Sequence, residues 1–180
     1  MDLKLVKSPS PWLEKQVSPF SFNFLNAKEV EKQMIELMIK EGGIGLSANQ
    51  VALDAQIFVM KPYLAEVKTP FAVINPEILR ISEEQEIMPE GCLSHPDLYL
   101  TVKRPRTIIA KFLDTDKNEC IIELNDIDAR CFLHEYDHLY GIEFTDRVSK
   151  LKLDRAKKKQ NKMRKKQNGW TKQRVTISFR

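Results

Sequence analysis

The stretch Asn125-Asp126-Ile127-Asp128-Ala129-Arg130-Cys131-Phe132-Leu133-His134-Glu135-Tyr136-Asp137-His138-Leu139-Tyr140-Gly141 decides what kind of chain this is. It reads as a helix from about Ile127 to Tyr140, with Asn125 or Asp126 as N-cap and Gly141 past its end. His134-Glu135-Tyr136-Asp137-His138 is an H-E-x-x-H pattern. Histidines four apart share one helix face, about one turn separated, so both imidazoles can bind one metal ion. Glu135 stands beside the first of them, where a carboxylate can handle the protons of an activated water.

A catalytic site of this kind takes three protein ligands and keeps one position open. The continuation Leu139-Tyr140-Gly141-Ile142-Glu143-Phe144 follows the metzincin spacing up to its last position, where Phe144 replaces the histidine. Beyond Asp146 the only acid is Asp154. Glu143, Asp146, Cys131 and residues upstream therefore remain as candidates. Cys131 precedes His138 by seven residues, roughly 10 Å along the axis, which is poor geometry for a short thiol that must converge with both imidazoles. It reads as a small buried wall residue. Cys120 falls in an expected strand and reads the same way. Cys92, in Glu90-Gly91-Cys92-Leu93-Ser94, follows a glycine that permits close backbone approach, and with His134 and His138 it makes a Cys-His-His set.

Outward from this core, residues 26–41 form an amphipathic helix. Asn26 caps it, Glu29 completes a capping-box-like pair, Val30, Met34, Leu37 and Met38 share a face, and Gly42-Gly43 stop it. Gln56–Lys61, Phe71–Ile74, Ile78–Ile81 and Tyr99–Val102 read as strands. Arg106–Leu113 and Glu119–Leu124 flank a hairpin loop at 114–118. Lys150–Gln167 is rich in helix formers, and Arg174–Phe179 alternates like a terminal strand. Helix, short strands, then helix gives an α+β domain, with antiparallel sheets around the H-E-x-x-H helix.

A chain of 180 residues, 42% hydrophobic and 30% charged, suits one soluble domain that needs no disulfides. Ile57-Phe58-Val59-Met60 is far short of a membrane span, and the N-terminus has no signal-like apolar run. Three cysteines without regular spacing point to a reducing, cytoplasmic setting. The net charge of +4 conceals a split: residues 1–146 carry −9 and residues 147–180 carry +13. Residues 1–150 are expected to form the catalytic domain and 151–180 a basic, partly helical extension that meets an anionic partner.

Three motifs in order resemble the peptide deformylase family. Gly43-Ile44-Gly45-Leu46-Ser47-Ala48-Asn49-Gln50 is similar to G-x-G-L-A-A-x-Q, Glu90-Gly91-Cys92-Leu93-Ser94 matches E-G-C-L-S, and His134-Glu135-Tyr136-Asp137-His138-Leu139 matches H-E-x-D-H-L. The resemblance covers roughly residues 3–160. The leucine of the third motif and the compact N-terminus also resemble phage-encoded members.

The resemblance implies removal of the formyl group from N-formylmethionyl peptides, with release of formate. Cys92, His134 and His138 would hold one divalent ion, Fe²⁺ in most members, with zinc, nickel or cobalt as replacements and water as fourth ligand. Gln50 and the Leu93 N–H would stabilise the oxyanion, and Glu135 would move the proton. Backbone around Ile44, Gly45 and Gly91 would pair with the peptide, and Ile44 and Cys131 would line the methionine pocket. The basic tail would meet ribosomal RNA through Lys157-Lys158-Lys159, Lys162 and Arg164-Lys165-Lys166.

Departures from the family pattern are Leu133 for a glutamine, Ser47 for an alanine, Tyr99 where many bacterial members have a substrate-facing arginine, and His95. The last is a fourth ligand, an outer hydrogen-bonding group or a surface group; an open position argues against the first. Asp137 either orients a ligand histidine or makes a structural salt bridge. The alternatives in function are a related hydrolase of another amide, and a metal-binding, ribosome-associated module without activity. Gln50, Cys92 and Glu135 argue against the latter, because a structural metal site needs no general base.

Overall fold

The computed structural model describes residues 3–64 and 68–175, with side chains to residue 166. In chain order the elements are α1 (Ala27–Lys40), β1 (Gly45–Ser47), a 3-10 turn (Ala48–Val51), β2 (Ile57–Met60), β3 (Phe71–Ile81), β4 (Gln85–Cys92), β5 (His95–Pro105), β6 (Thr107–Leu113), β7 (Glu119–Asn125), α2 (Asp126–Leu139), a second 3-10 turn (Phe144–Arg147) and α3 (Lys150–Val175). Among the described residues, one sheet runs β1-β2-β3-β6-β7 and a separate hairpin pairs β4 with β5. Every pairing is antiparallel. The α+β expectation holds.

The larger sheet is covered on both faces. Ile57 and Val59 of β2, with Ala72 and Ile74 of β3, pack with Val30, Met34 and Met38 of α1. Phe58, Met60 and Val73 belong instead to the cluster of Phe132, Leu133 and Leu139 from α2. A strand buried on both faces needs an apolar residue at every position, which is why Ile57-Phe58-Val59-Met60 is unbroken rather than alternating. A third cluster joins Leu98, Leu100 and Val102 of β5 to Phe144, with Leu153 and Ala156 of α3 packed against it.

Local chemistry sets the boundaries. The Asn26 side chain accepts the Glu29 N–H at 3.2 Å, and Gly42, at φ 74°, ends α1 in the left-handed region. The Asn125 side chain makes no cap; it accepts the Thr107 hydroxyl instead. In the β6–β7 loop Asp114 Oδ1 accepts the N–H groups of Asp116 and Asn118, the local turn chemistry that aspartate favours.

Several strand expectations change. The two strands expected at 71–74 and 78–81 are one, β3, with register shifts between Ile74 and Glu77 and between Ile78 and Arg80. Asn75, at φ 49°, and Pro76 sit at the first shift, so turn-forming residues mark a bulge rather than a break. The strand expected at 99–102 is the middle of a longer β5, and β1 and β4 were not expected at all. Arg174 and Val175, read as the start of a terminal strand, end α3; residues 176–179 lie outside the described residues. The expected boundary at 150 falls at the first turn of α3, whose Leu153 and Ala156 pack on the body.

Candidate metal centre and substrate cavity

All of α2 except Asp126, Ile127 and Tyr136 is buried. A helix buried almost all round carries its charged residues inside, and each needs a partner. The sequence meets that need with ions of opposite sign from β4 and β5. Glu90 Oε1 accepts from Arg104 Nε at 2.6 Å and from Arg130 Nη1 at 2.5 Å, and Glu90 Oε2 accepts from Arg104 Nη2 at 3.0 Å. Arg104 Nη1 reaches Asp137 Oδ2 at 2.7 Å, and Arg147 closes on the same carboxylate.

His134 enters this network through Nδ1, 3.2 Å from Glu90 Oε2. Burial alone would raise the Glu90 carboxyl, but hydrogen bonds from His134 and Arg104 hold it at about 2. Burial works to lower the His134 imidazole, yet Cys92 and Glu90 raise it to about 10. Burial, reinforced by the charge on His134, drives His138 well below the usual range. The His138 backbone is fixed by Asn49, whose side-chain amide donates to its carbonyl.

Cys92 ends β4, and its strand bends there, since Gly91 pairs with Tyr99 while Cys92 pairs with His95. The bend carries the thiol to α2. Cys92 Sγ lies 3.3 Å from His138 Nε2, and one ligand atom each from Cys92, His134 and His138 fall within 4.8 Å of one another. Bonds of about 2.3 Å to sulfur and 2.0–2.1 Å to nitrogen place ligand atoms about 3.5 Å apart in a tetrahedral site, and the Cys92–His138 pair at 3.3 Å is close to that. The donor set and its spacing fit a divalent ion. Cys131 is outside the set: its thiol points to the Ile44 carbonyl at 3.4 Å, and burial raises its pKa well above the usual range.

Glu135 is 4% exposed, and Ser47 Oγ lies 2.8 Å from both its Oε2 and its carbonyl oxygen. Burial raises the Glu135 carboxyl, against His134 and Ser47, which lower it. Gly45 faces the carboxylate so closely that a Cβ there would overlap Glu135 Oε1. The Gln50 amide has one orientation: Oε1 accepts the Ser47 N–H at 2.8 Å, which turns Nε2 toward Cys92 Sγ at 3.3 Å and Ser94 Oγ at 3.1 Å. The donor therefore faces the centre.

A cavity of about 420 Å³ opens in front of these groups. Of the residues expected from sequence, Ile44, Gly45, Gln50, Gly91, Cys92, Leu93, Cys131, His134 and Glu135 line it, and His138 lies behind it, fully buried. The N-terminal segment ties two walls together, with Val6 N–H on the Gln50 carbonyl and Ser8 N–H on the Ser94 carbonyl. His95 bonds Glu143 and is not in the ligand group. Asp137 takes arginines, and the carboxylate that bonds His134 is Glu90. Leu133 is packed among apolar residues, and its carbonyl meets Arg104 Nη1 at 3.5 Å. Sequence reading missed the roles of Glu90, Ser47, Arg104 and Arg130. Glu90 and Ser47 sit inside quoted motifs and were open to notice; the two arginines carry no local signal.

A thiol and two imidazoles converging beside a buried carboxylate, at the back of a cavity, characterise the metal-dependent hydrolases. Comparison narrows the class. The polypeptide deformylase family pattern matches residues 2–154. A peptide deformylase of Rhizobium meliloti (strain 1021) is 36% identical over 151 residues, 83% of this chain and 87% of the relative. The crystal structure of a peptide deformylase from Synechococcus elongatus in complex with actinonin superposes with a TM-score of 0.82 at 34% identity, covering 88% of each chain. A Met-Ala-Ser-bound class I type b peptide deformylase from Acinetobacter baumannii gives 0.75 at 28% identity, over 82% of this chain and 99% of that one. The chain belongs to the peptide deformylase family, metalloenzymes that remove the N-formyl group from nascent polypeptides.

Proposed function

We propose that this chain deformylates N-formylmethionyl peptides with Cys92, His134 and His138 holding one divalent ion, Fe²⁺ as the native metal and Zn²⁺, Ni²⁺ or Co²⁺ as replacements. One thiolate with two imidazoles accepts each of these ions. The observation that carries the reading is the convergence of the three ligand atoms within 4.8 Å at the back of a cavity that Glu135 and Gln50 also line. The bound ion supplies Lewis acidity that makes a hydroxide-like nucleophile available near neutral pH.

The chain's own residues do the rest. Glu135 accepts the proton of the attacking water and passes it to the departing amine, with Ser47 fixing the carboxylate and burial suiting it to both roles. Gln50 Nε2 and the Leu93 N–H donate to the developing oxyanion. Backbone at Ile44, Gly45 and Gly91 pairs with the peptide as an added strand, and Ile44 and Cys131 border the methionine side chain. Glu90 holds His134 by its far nitrogen. In this reading the H-E-x-x-H helix is the metal-binding element at the middle of the fold; its packing against β1, β2, β5, β6 and β7 supports the central placement.

The enzyme acts in the cytoplasm, where formylated chains emerge, and its basic helix meets ribosomal RNA. No helix among the described residues is long and apolar enough to cross a membrane. A metal-binding module without activity is the less favoured reading, because a structural metal site has no use for a buried carboxylate such as Glu135 beside it. Anaerobic purification with metal analysis, followed by formate release from formyl-Met-Ala-Ser, tests the proposal. Stoichiometric iron and turnover support it; bound metal without formate release supports the inactive module.

A further inference from the structure

The lysines of α3 up to residue 166 are exposed, and one stripe of other residues faces the body. Leu153, Ala156, Gln160 and Arg164 are half-buried at spacings that repeat along one helix face, whereas Lys157, Lys158, Lys159, Lys162, Lys165 and Lys166 are exposed. The stripe starts apolar, packing on the β5 cluster with Leu98 and Leu100. It then turns polar. Gln160 Nε2 donates to the Pro96 carbonyl at 2.7 Å, Arg164 Nη2 donates to the same carbonyl at 2.6 Å, and Arg164 Nε meets Asp97 Oδ2 at 3.1 Å.

What these side chains grip is a wall of the substrate cavity. Pro96, Asp97 and Leu98 all line it. The wall follows directly on Cys92, Leu93 and Ser94, and Asp97 holds φ 63°, a left-handed turn conformation that aspartate tolerates better than most residues. The β4–β5 pairing flanks this segment at His95 and Tyr99, and the side chains that reach its exposed middle from another element come from α3. An exposed ion pair alone contributes little; two donors on one carbonyl, carried by a helix already docked through Leu153 and Ala156, fix a position.

We propose that Gln160 and Arg164 are positioning residues for deformylation: by clamping Pro96 and Asp97 they shape the part of the cavity that reads the peptide beyond its formylmethionine. The basic helix is then part of the substrate site as well as a charged surface. The inference rests on the deformylase reading.

The test compares the parent with Gln160→Ala, Arg164→Ala and the double variant, using formyl-Met-Ala-Ser and, separately, amide hydrogen exchange across residues 95–99. Formate release by the parent tests the underlying reading on its own. The double variant raises KM by about three- to tenfold, the scale of one or two ordinary hydrogen bonds, leaves kcat near the parent value, and speeds exchange at Asp97 and Leu98. Lys152→Gln, which removes an exposed charge of α3 outside the stripe, changes none of these. Parent-like exchange in the double variant overturns the proposal, as does raised exchange with parent-like KM. An equal shift in Lys152→Gln would assign the effect to net charge and also overturn it.

Discussion

Glu135 sits between opposing demands. In the mechanism proposed above its carboxylate exchanges a proton with the attacking water and the departing amine, yet stays out of the ligand set. The fold holds it off with Ser47 and crowds it from the far side with Gly45. Glu135→Gln keeps the shape and removes the proton-carrying function, so metal content stays stoichiometric while turnover falls by at least about 10²-fold. Metal analysis and formate release on one preparation check both halves; near-normal turnover would mean that another group moves the proton. Gly45→Ala asks the converse question. Its Cβ drives into the carboxylate, so kcat should fall with the metal retained. For the ligands, Cys92→Ala loses stoichiometric metal, and Cys131→Ala keeps it because that thiol faces the Ile44 carbonyl. The opposite pattern would reverse the assignment of the third ligand. At this scale the sequence was informative wherever chemistry is local: helical spacing placed both histidines, and the glycine beside Cys92 signalled a close approach. It was silent on Arg104 and Arg130, whose bonds to Glu90 span 14 and 40 residues. An arginine paired across such distances looks like any other arginine in the chain.

Among elements, α1, α2 and the β6–β7 hairpin were legible because each carries a periodic pattern with a chemical stop, such as Asn26, Gly42 or Asp114. β4 was not. Pro89 and Gly91 interrupt its pattern and disguise a strand, yet the irregularity between Gly91 and Cys92 is what bends it and delivers Cys92. β1 is three residues long and exists only because Gly45, Leu46 and Ser47 pair with Met60, Val59 and Phe58, a long-range fact that no local window contains. The link between β4 and α2 is Glu90. Glu90→Gln keeps the volume but removes the acceptor charge that orients His134 and balances Arg104 and Arg130. Loss of such an outer hydrogen bond typically weakens metal binding by about 10–100-fold, measurable by competition with a chelator. A variant that holds metal as tightly as the parent would show that packing alone orients His134.

For the whole molecule, the division of charge is the organising fact: an acidic body of −9 and a basic stretch of +13. The body does not end where the basic stretch begins, since Leu153 and Ala156 cover Leu98, Leu100 and Val102. Truncation after residue 150 should therefore destabilise the protein. Exposing these apolar groups costs about 1–2 kcal/mol, a fall of about 2–8 °C in Tm for a domain of this size, which differential scanning calorimetry would resolve. That result makes truncation a poor test of ribosome binding, because lost binding and lost folding would coincide. Replacement of Lys157, Lys158, Lys159, Lys165 and Lys166 by glutamine leaves the inward stripe intact, as these side chains are exposed. If ribosomal phosphates are the partner, each contact releases counterions, so binding by the parent weakens steeply as salt rises. The substituted protein should keep its Tm and its turnover of short formyl peptides, lose co-sedimentation with ribosomes at low salt, and show a shallower salt dependence in whatever binding remains. Co-sedimentation at the parent level, with the parent's salt response, would leave these lysines as a solvated face, and the contribution of α3 to function would then be confined to the wall it clamps.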